Sequence, residues 1–355
     1  MDELTCWVAL SLVNQPFDLR GLLRRHGSVA SLFDNVDARK EIGPPLRDDL
    51  AGAVERAVAI RACCRDTGVV PWSYPSVEYP RALRELPWPP PVLYSVGDRS
   101  PLERPAVAIV GSRRCTGYGR WAARSLARGL SGAGVCVVSG MAFGVDAAAH
   151  EGALRGRGGT VAVLGGGPER ASPASLGRLY DRLVSEQLVV SEFPPGTTPR
   201  ARNYPRRNRV VAALSSAILV VEAARRSGAL ITAREGLAAG RDVLAVPGPI
   251  DSATSAGTNQ LIREGAVPVT CCADVLEVVG PVAPLSQDGS DAAAEAPLDG
   301  PDARLVDALS AGTTGIDELR IRTGLPLAEI RGGLVRLRLQ GAVRACGGDR
   351  FCRVE

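Results

Sequence analysis

Two periodicities divide the chain. In residues 1–70 the apolar positions recur at helical spacing. Trp7, Leu10, Leu12 and Val13 make one apolar face, and Leu22 and Leu23, then Val29, Leu32 and Phe33, make another. Gly27 and Ser28 punctuate the two, with Ser28 placed to cap the following helix. Residues 54–60 continue the helical pattern, so the segment predicts a small all-α domain of the SAM or helix-hairpin-helix kind. Pro71, Pro75, Pro80, Pro87 and the run Pro89-Pro90-Pro91 predict an extended linker behind it. From Ala106 the texture changes. Short runs at 106–110, 134–139, 160–164, 188–190, 217–221 and 242–246 are apolar without alternation, and helical stretches such as 118–130 separate them. Unalternating strands are buried on both faces, which predicts a mostly parallel sheet with helices on either side. That is a doubly wound, Rossmann-like α/β domain over residues 71–280. Residues 281–302 are rich in Pro, Ala and Asp and predict an acidic flexible linker. Three helical segments (303–309, 315–323 and 327–340) and two short strands around Gly347-Gly348-Asp349 then predict a winged-helix domain over 303–355.

Composition narrows the class without changing this picture. The 355 residues are 45% hydrophobic and 23% charged, which fits a globular chain of two or three domains. No apolar run approaches the ~18 residues of a spanning helix, so no membrane is expected. The start, Met1-Asp2-Glu3, has no basic n-region, and no signal peptide is expected. Nine cysteines without a C-x-x-C pair predict free thiols in a reducing cytoplasm and no zinc site. With only His26 and His150, histidine chemistry has few ways to be built. Lys40 is the single lysine, as a GC-rich genome would produce.

Charge does change the picture. The net charge is +4, yet residues 101–270 hold 21 Arg, no Lys and 12 Asp+Glu, a local balance of +9 that leaves −5 for the rest. A basic middle between acidic ends is the footprint of an anionic partner, although a solvated Arg-rich surface accounts for it equally. In an open parallel sheet ligands bind beyond the C-terminal strand ends, and nearly every glycine-rich patch here lies at such a place. Gly111-Ser112-Arg113 follows the first of the six strands, and its backbone N–H groups with the next helix N-terminus would cradle a phosphate. Ser139-Gly140 through Phe143-Gly144 follows the second, and Gly165-Gly166-Gly167 the third, with Arg170 close behind. Asn203 to Arg209 opens a helix, and Ser227-Gly228 follows Glu222 at the end of the fifth strand. The specific nucleotide fingerprints, G-x-x-x-x-G-K-[ST] and G-x-G-x-x-G, are missing.

Each of these features has a duller reading. The glycines serve tight turns equally well. Asp146 and His150 share a helix face, as a catalytic pair or as a local hydrogen bond. Glu222 is a general base or a loop tie. Phe143 and Tyr204 stack bases or fill core.

The runs taken in order resemble the DNA-processing protein A family (DprA, also called Smf). They are Tyr79-Pro80; Pro91-Val92-Leu93-Tyr94; Val110-Gly111-Ser112-Arg113 with Tyr118-Gly119; Ser139-Gly140-Met141-Ala142-Phe143-Gly144-Val145-Asp146 with His150; Gly165-Gly166-Gly167; Ser191-Glu192-Phe193-Pro194; Pro205-Arg206-Arg207-Asn208-Arg209; Glu222-Ala223 with Ser227-Gly228-Ala229; Val246-Pro247-Gly248; and Gly257-Thr258-Asn259-Gln260. They cover roughly residues 79–270. The resemblance implies a cytoplasmic, non-enzymatic protein that binds single-stranded DNA in a basic pocket and loads the RecA recombinase onto it in natural transformation. It also implies a homodimer formed through the same domain, with no cofactor. The family's DNA-contacting arginine maps to Arg113, and a second basic contact maps near Arg170. Together with the cradles, the candidate DNA-binding residues are Gly111, Ser112, Arg113, Arg114, Ser139, Gly140, Phe143, Gly144, Gly166, Gly167, Arg170, Asn203, Arg206, Arg207, Asn208 and Arg209. Behind the triple glycine the family usually has an Asp and then Tyr-Pro, whereas Glu169 and Ser172-Pro173 stand here. Two other readings compete: a nucleotide phosphoribohydrolase-like enzyme on the same fold, and a transcription regulator acting through the winged helix.

Overall fold

The computed structural model describes residues 1–12, 17–35, 50–280, 300–309, 314–339, 342–347 and 349–353. Most of the expected acidic linker, 281–299, lies outside the described residues, as do Val13 and Gln340. Two compact units emerge, Met1–Leu285 and Ser286–Glu355.

The first unit is built on a nine-stranded, mostly parallel sheet. In chain order the strands are β1 (Val70–Ser73), β2 (Val92–Gly97), β3 (Ala106–Val110), β4 (Cys136–Ser139), β5 (Thr160–Leu164), β6 (Leu188–Ser191), β7 (Ala217–Val220), β8 (Asp242–Ala245) and β9 (Val267–Pro268). Their spatial order is β1-β2-β6-β5-β4-β3-β7-β8-β9. β2 runs antiparallel to both β1 and β6, and β6 to β9 are parallel. The six expected strands are all present. They are apolar on both faces because both faces are covered: Val107 and Ile109 of β3 enter one core, and Ala108 and Val110 the other. From β3 the chain steps outward to β6, then returns to β7 on the opposite side of β3. The switch point of the sheet therefore lies between β3 and β7.

The proline-rich stretch is not a linker. β1, β2 and the turns between them close the antiparallel edge of the sheet, with Tyr79 and Leu83 buried and the Tyr79 hydroxyl donating to the Pro90 carbonyl at 2.8 Å. Proline fits there because an edge strand and tight turns leave few N–H groups to be satisfied. No break between compact units falls near residue 70 either. Helices α1 (Glu3–Ser11), α2 (Leu19–His26), α3 (Val29–Asp34) and α4 (Leu50–Thr67) precede the sheet. Trp7 lies 6.0 Å from Tyr74, which lies 5.7 Å from Tyr79, so helices and sheet edge share one core. The Glu3 carboxylate accepts from the Trp7 indole and from the Val29 and Ala30 N–H groups, which joins α1 to the start of α3. Ser28 caps α3 as its position suggested.

In the second unit α12 (Pro301–Leu309), α13 (Ile316–Thr323) and α14 (Leu327–Leu339) enclose Leu305, Leu309, Leu319, Ile330 and Leu337. A small sheet of β10 (Thr314–Gly315), β12 (Arg350–Arg353) and β11 (Val343–Gly347) completes a winged helix. β10 is too short to show in the hydrophobic pattern.

One titratable group is sealed in the main core. His150 lies on α6 (Val145–Ala153), fully buried. The Thr160 hydroxyl donates to the Val137 carbonyl at 2.6 Å, so it can only accept from His150 Nδ1, 2.7 Å away. The proton is thereby assigned to Nδ1, and no described residue partners Nε2. His150 and Asp146 are not a catalytic pair: the histidine bonds Thr160, and Asp146 accepts from the Ala142 N–H.

Two expected outcomes follow from these contacts. Tyr79→Phe strands the buried Pro90 carbonyl and lowers stability by about 1–3 kcal/mol, read as a shift of the urea midpoint; a true linker would show no shift. Burial, aided by the Arg207 charge, holds the His150 pKa down to about 3 from its ordinary 6.5. The unfolded chain therefore takes up a proton that the folded chain refuses. Stability is full above pH 6.5 and is lost as pH falls toward 3, by up to about 1.4 kcal/mol per pH unit. Urea titrations between about pH 7 and pH 5 should show this slope, and His150→Asn should flatten it.

Candidate functional site

Glu222, just past β7, organises the switch point. Its carboxylate is buried and accepts the Thr116 N–H at 2.9 Å and the Thr116 hydroxyl at 2.5 Å. Its carbonyl accepts the Ser112 N–H at 2.7 Å. Thr116 in turn caps α5 (Gly117–Gly132) by accepting the Gly119 N–H at 3.0 Å. Glu222 is therefore a loop tie, holding the loop after β3 rather than the Ser227-Gly228 turn. Gly119 is required here, since a Cβ would lie 2.3 Å from the Glu222 carboxyl carbon.

Between these loops and the first turns of α8 (Asn203–Ala213) and α9 (Gly228–Ala238) lies a cavity of about 500 Å3. Arg113, Arg114, Arg207 and Arg226 line it against one acid, Asp146, so its field favours an anion. The Arg113 guanidinium lies 4.5 Å from the centre of the Tyr204 ring, a cation–π contact that holds an exposed side chain over a half-buried aromatic face. Gly165 lets that ring close on the sheet, because a Cβ there would come within 3.3 Å of it.

Arg207 forms the floor. It is 5% exposed, donates to the Val163 carbonyl at 3.1 Å and lies 6.0 Å from the same ring. Gly140 makes the space, since a Cβ there would stand 1.3 Å from the guanidinium. Burial pushes the Asp146 carboxyl up from its ordinary range, and the Arg207 charge opposes the shift. Burial likewise pulls the Arg207 guanidinium down while Asp146 opposes it.

The sixteen candidate residues separate into groups. Gly111, Ser112, Arg113, Arg114, Arg207 and Asn208 line the cavity. The backbone cradle expected at Gly111-Ser112-Arg113 is corrected in part. The Ser112 N–H is spent on Glu222 and the Arg114 N–H on the Ser112 hydroxyl, so arginine side chains supply most of the donors. Gly140 and Gly144 shape the walls; Gly144 sits at φ +79° with the Ser112 carbonyl where a Cβ would go. Phe143 is 45% exposed on the loop before Gly144, outside the cavity lining.

The remaining candidates lie outside the cavity lining. The buried Ser139 hydroxyl donates to the Ile109 carbonyl at 2.6 Å. Asn203 is buried and donates to the Gly165 carbonyl at 2.8 Å. Gly166 packs against Pro199, and the Gly167 N–H donates to the Thr197 carbonyl. Arg206 lies over the Phe193 ring and pairs with Glu192 at 3.3 Å, while Arg209 reaches Glu192 and the Trp88 carbonyl. Arg170 is exposed beside Glu169 and does not line the cavity. Helical periodicity explains the arginines: successive residues of α8 face different ways, so only Arg207 points to the floor. Tyr204, Asp146, Arg226 and Ser227 are among the lining residues that the candidate set omitted. The pairing of β3 with β7 would have located Arg226, but strand order is not written in local sequence.

The comparisons with known proteins agree with this architecture. Residues 72–280 match the model of the family described as DNA recombination-mediator protein A, and residues 289–349 match the DprA winged helix domain. A putative DNA processing protein DprA of Mycobacterium tuberculosis is 42% identical over 245 residues, covering 68% of this chain and 63% of that protein's length. The Smf protein of Escherichia coli K12 is 37% identical over 293 residues, covering 78% and 77%. Among solved structures, DNA processing protein A of Streptococcus pneumoniae superposes with a TM-score of 0.65 at 35% identity, covering 77% of this chain and 95% of that one. The protein of the same name from Helicobacter pylori gives 0.54 at 29%, covering 59% and 94%. The order of motifs, the switch-point cavity and the C-terminal winged helix thus have one common explanation: this chain belongs to the DprA/Smf family of DNA recombination-mediator proteins.

Proposed function

We propose that this protein binds single-stranded DNA at the switch-point cavity and acts as a non-enzymatic recombination mediator. In this reading it works as a homodimer and loads the RecA recombinase onto the bound strand during natural transformation or recombination. The observation that carries the proposal is the stacked pair at the cavity mouth, the Arg113 guanidinium over the Tyr204 ring with Arg207 fixed beneath. An arginine fork beside an aromatic face serves both parts of a single strand, a phosphate and an unstacked base. A duplex hides its base faces, so this geometry favours single strands. The H. pylori relative is described by its single-stranded DNA binding mode, which supports carrying the same ligand class to this chain. The titratable groups in and around the cavity are already engaged, which supports a binding role: Asp146 in its wall accepts from the Ala142 N–H, and beyond the lining Glu222 is committed to Thr116 and His150 to Thr160.

Fluorescence anisotropy with a labelled single strand and the matching duplex, each at two salt concentrations, tests the reading. The parent should prefer the single strand, with affinity falling steeply as salt rises. Arg113→Ala should weaken binding to all sequences alike and reduce the salt slope by about 1. Tyr204→Ala should cost about 1–3 kcal/mol of binding, with less change in slope. Equal binding of both DNA forms, or turnover of nucleoside monophosphates by the parent, would overturn the proposal in favour of the phosphoribohydrolase-like alternative.

A further inference from the structure

The wing of the second unit holds a cysteine pair that the switch-point site does not use. Along β11 and β12, Arg344 faces Cys352, Ala345 faces Phe351 and Gly347 faces Arg350. Cys346 is therefore the extra residue of a β-bulge, two residues past Arg344 and on the face that Arg344 and Cys352 share. In a regular ladder Cys346 would sit opposite Arg350, a diagonal neighbour of Cys352 about 7–8 Å away by backbone spacing. With the bulge, the two sulfur atoms lie 3.0 Å apart. Arg344 Nε donates to the Cys352 sulfur at 3.0 Å. Cys346 is exposed, whereas Cys352 is 9% exposed. The remaining neighbouring cysteines, Cys63-Cys64 and Cys271-Cys272, are adjacent along the chain, where a bridge would strain the peptide between them.

These features divide the work of a thiol switch. The exposed sulfur meets the oxidant, and the shielded one waits within reach, held in place by the Arg344 Nε–H that donates to it. We propose that Cys346 and Cys352 form a reversible, redox-sensitive disulfide that staples the two strands of the wing. With hydrogen peroxide as oxidant, the Cys346 thiolate attacks one peroxide oxygen. The O–O bond breaks, the second oxygen leaves as water once protonated, and Cys346 becomes a sulfenic acid. The Cys352 thiolate then attacks the Cys346 sulfur, and the hydroxyl leaves as a second water, taking up the proton Cys352 released. Two thiols lose two electrons and two protons in all, and one peroxide becomes two waters. Closing the bond requires the sulfurs to approach by about 1 Å, which a bulged hairpin can absorb. A dithiol reductant reverses the step by exchange.

The test is peptide mapping of the full-length chain after graded hydrogen peroxide and alkylation of the remaining thiols. The expected result is a linked Cys346–Cys352 peptide, the loss of two of the nine free thiols and their recovery with dithiothreitol. Cys346→Ser should abolish the link and leave Cys352 alkylatable; because Cys346 is exposed, this variant keeps the fold of the wing. Cys352→Ser should halt Cys346 at the sulfenic acid, which dimedone traps. The proposal is overturned if the exposed Cys271 oxidises while both wing thiols persist. It is equally overturned if Cys346 links only between chains, seen as a covalent dimer on a non-reducing gel.

Discussion

The site hangs on one buried carboxylate. Glu222 joins the end of β7 to the loop after β3 and to the N-terminus of α5 through Thr116. Hydrogen bonds to a charged group contribute about 1.5–3 kcal/mol each, and the adjacent helix N-terminus favours the negative charge further. The effect on geometry is larger than the effect on stability. Two loops from strands far apart in sequence meet at Glu222, and the Arg113 side chain inherits its position from that junction. Gly119 leaves the carboxyl room, and Gly144 brings the start of α6 against the Ser112 carbonyl. A side chain on either glycine would move the loop that carries the arginine.

Beneath that loop the protein accepts an expensive feature. Sealing a guanidinium from water costs several kcal/mol unless its neighbours offset the loss. Arg207 is compensated by the Val163 carbonyl, the field of Asp146 and the face of Tyr204. It fits because the residue that follows β4 is a glycine, Gly140. The cavity consequently has a buried positive floor and an exposed positive rim of Arg113, Arg114 and Arg226, with one aromatic ring between. A fixed charge cannot retreat into solvent when no ligand is bound, so little ordering entropy remains to be lost on binding.

The arginine-rich run on α8 shows how far local sequence carries a reading. Arg206, Arg207 and Arg209 are equivalent in composition, and a basic cluster beside two asparagines fits ligand contact. In the fold they separate: Arg207 reaches the cavity, whereas Arg206 and Arg209 brace Glu192 on the far side of the helix. Asn203 and Ser139 are likewise polar residues at strand and helix ends whose hydrogen bonds are consumed internally. Their chemistry suits a ligand, but their partners turn out to be backbone carbonyls. The same limit misread the proline-rich stretch. Prolines mark turns, but a sequence does not say whether turns lie in solvent or pack on a sheet edge.

What the sequence determined by itself is the set of elements and their chemistry. Unalternating apolar runs specify strands buried on both faces, glycines at their ends specify turns, and the arginine excess specifies a basic middle domain, all through local composition and spacing. The winged helix and its hairpin are legible for the same reason. Tertiary structure alone decided which strand ends meet. Only the placement of β7 beside β3 brings Arg226 to Arg113, commits Glu222 to Thr116 and turns one arginine of three toward the cavity. Those outcomes depend on strand order and helix rotation, which arise from packing between segments a hundred residues apart and leave no periodic trace in either segment.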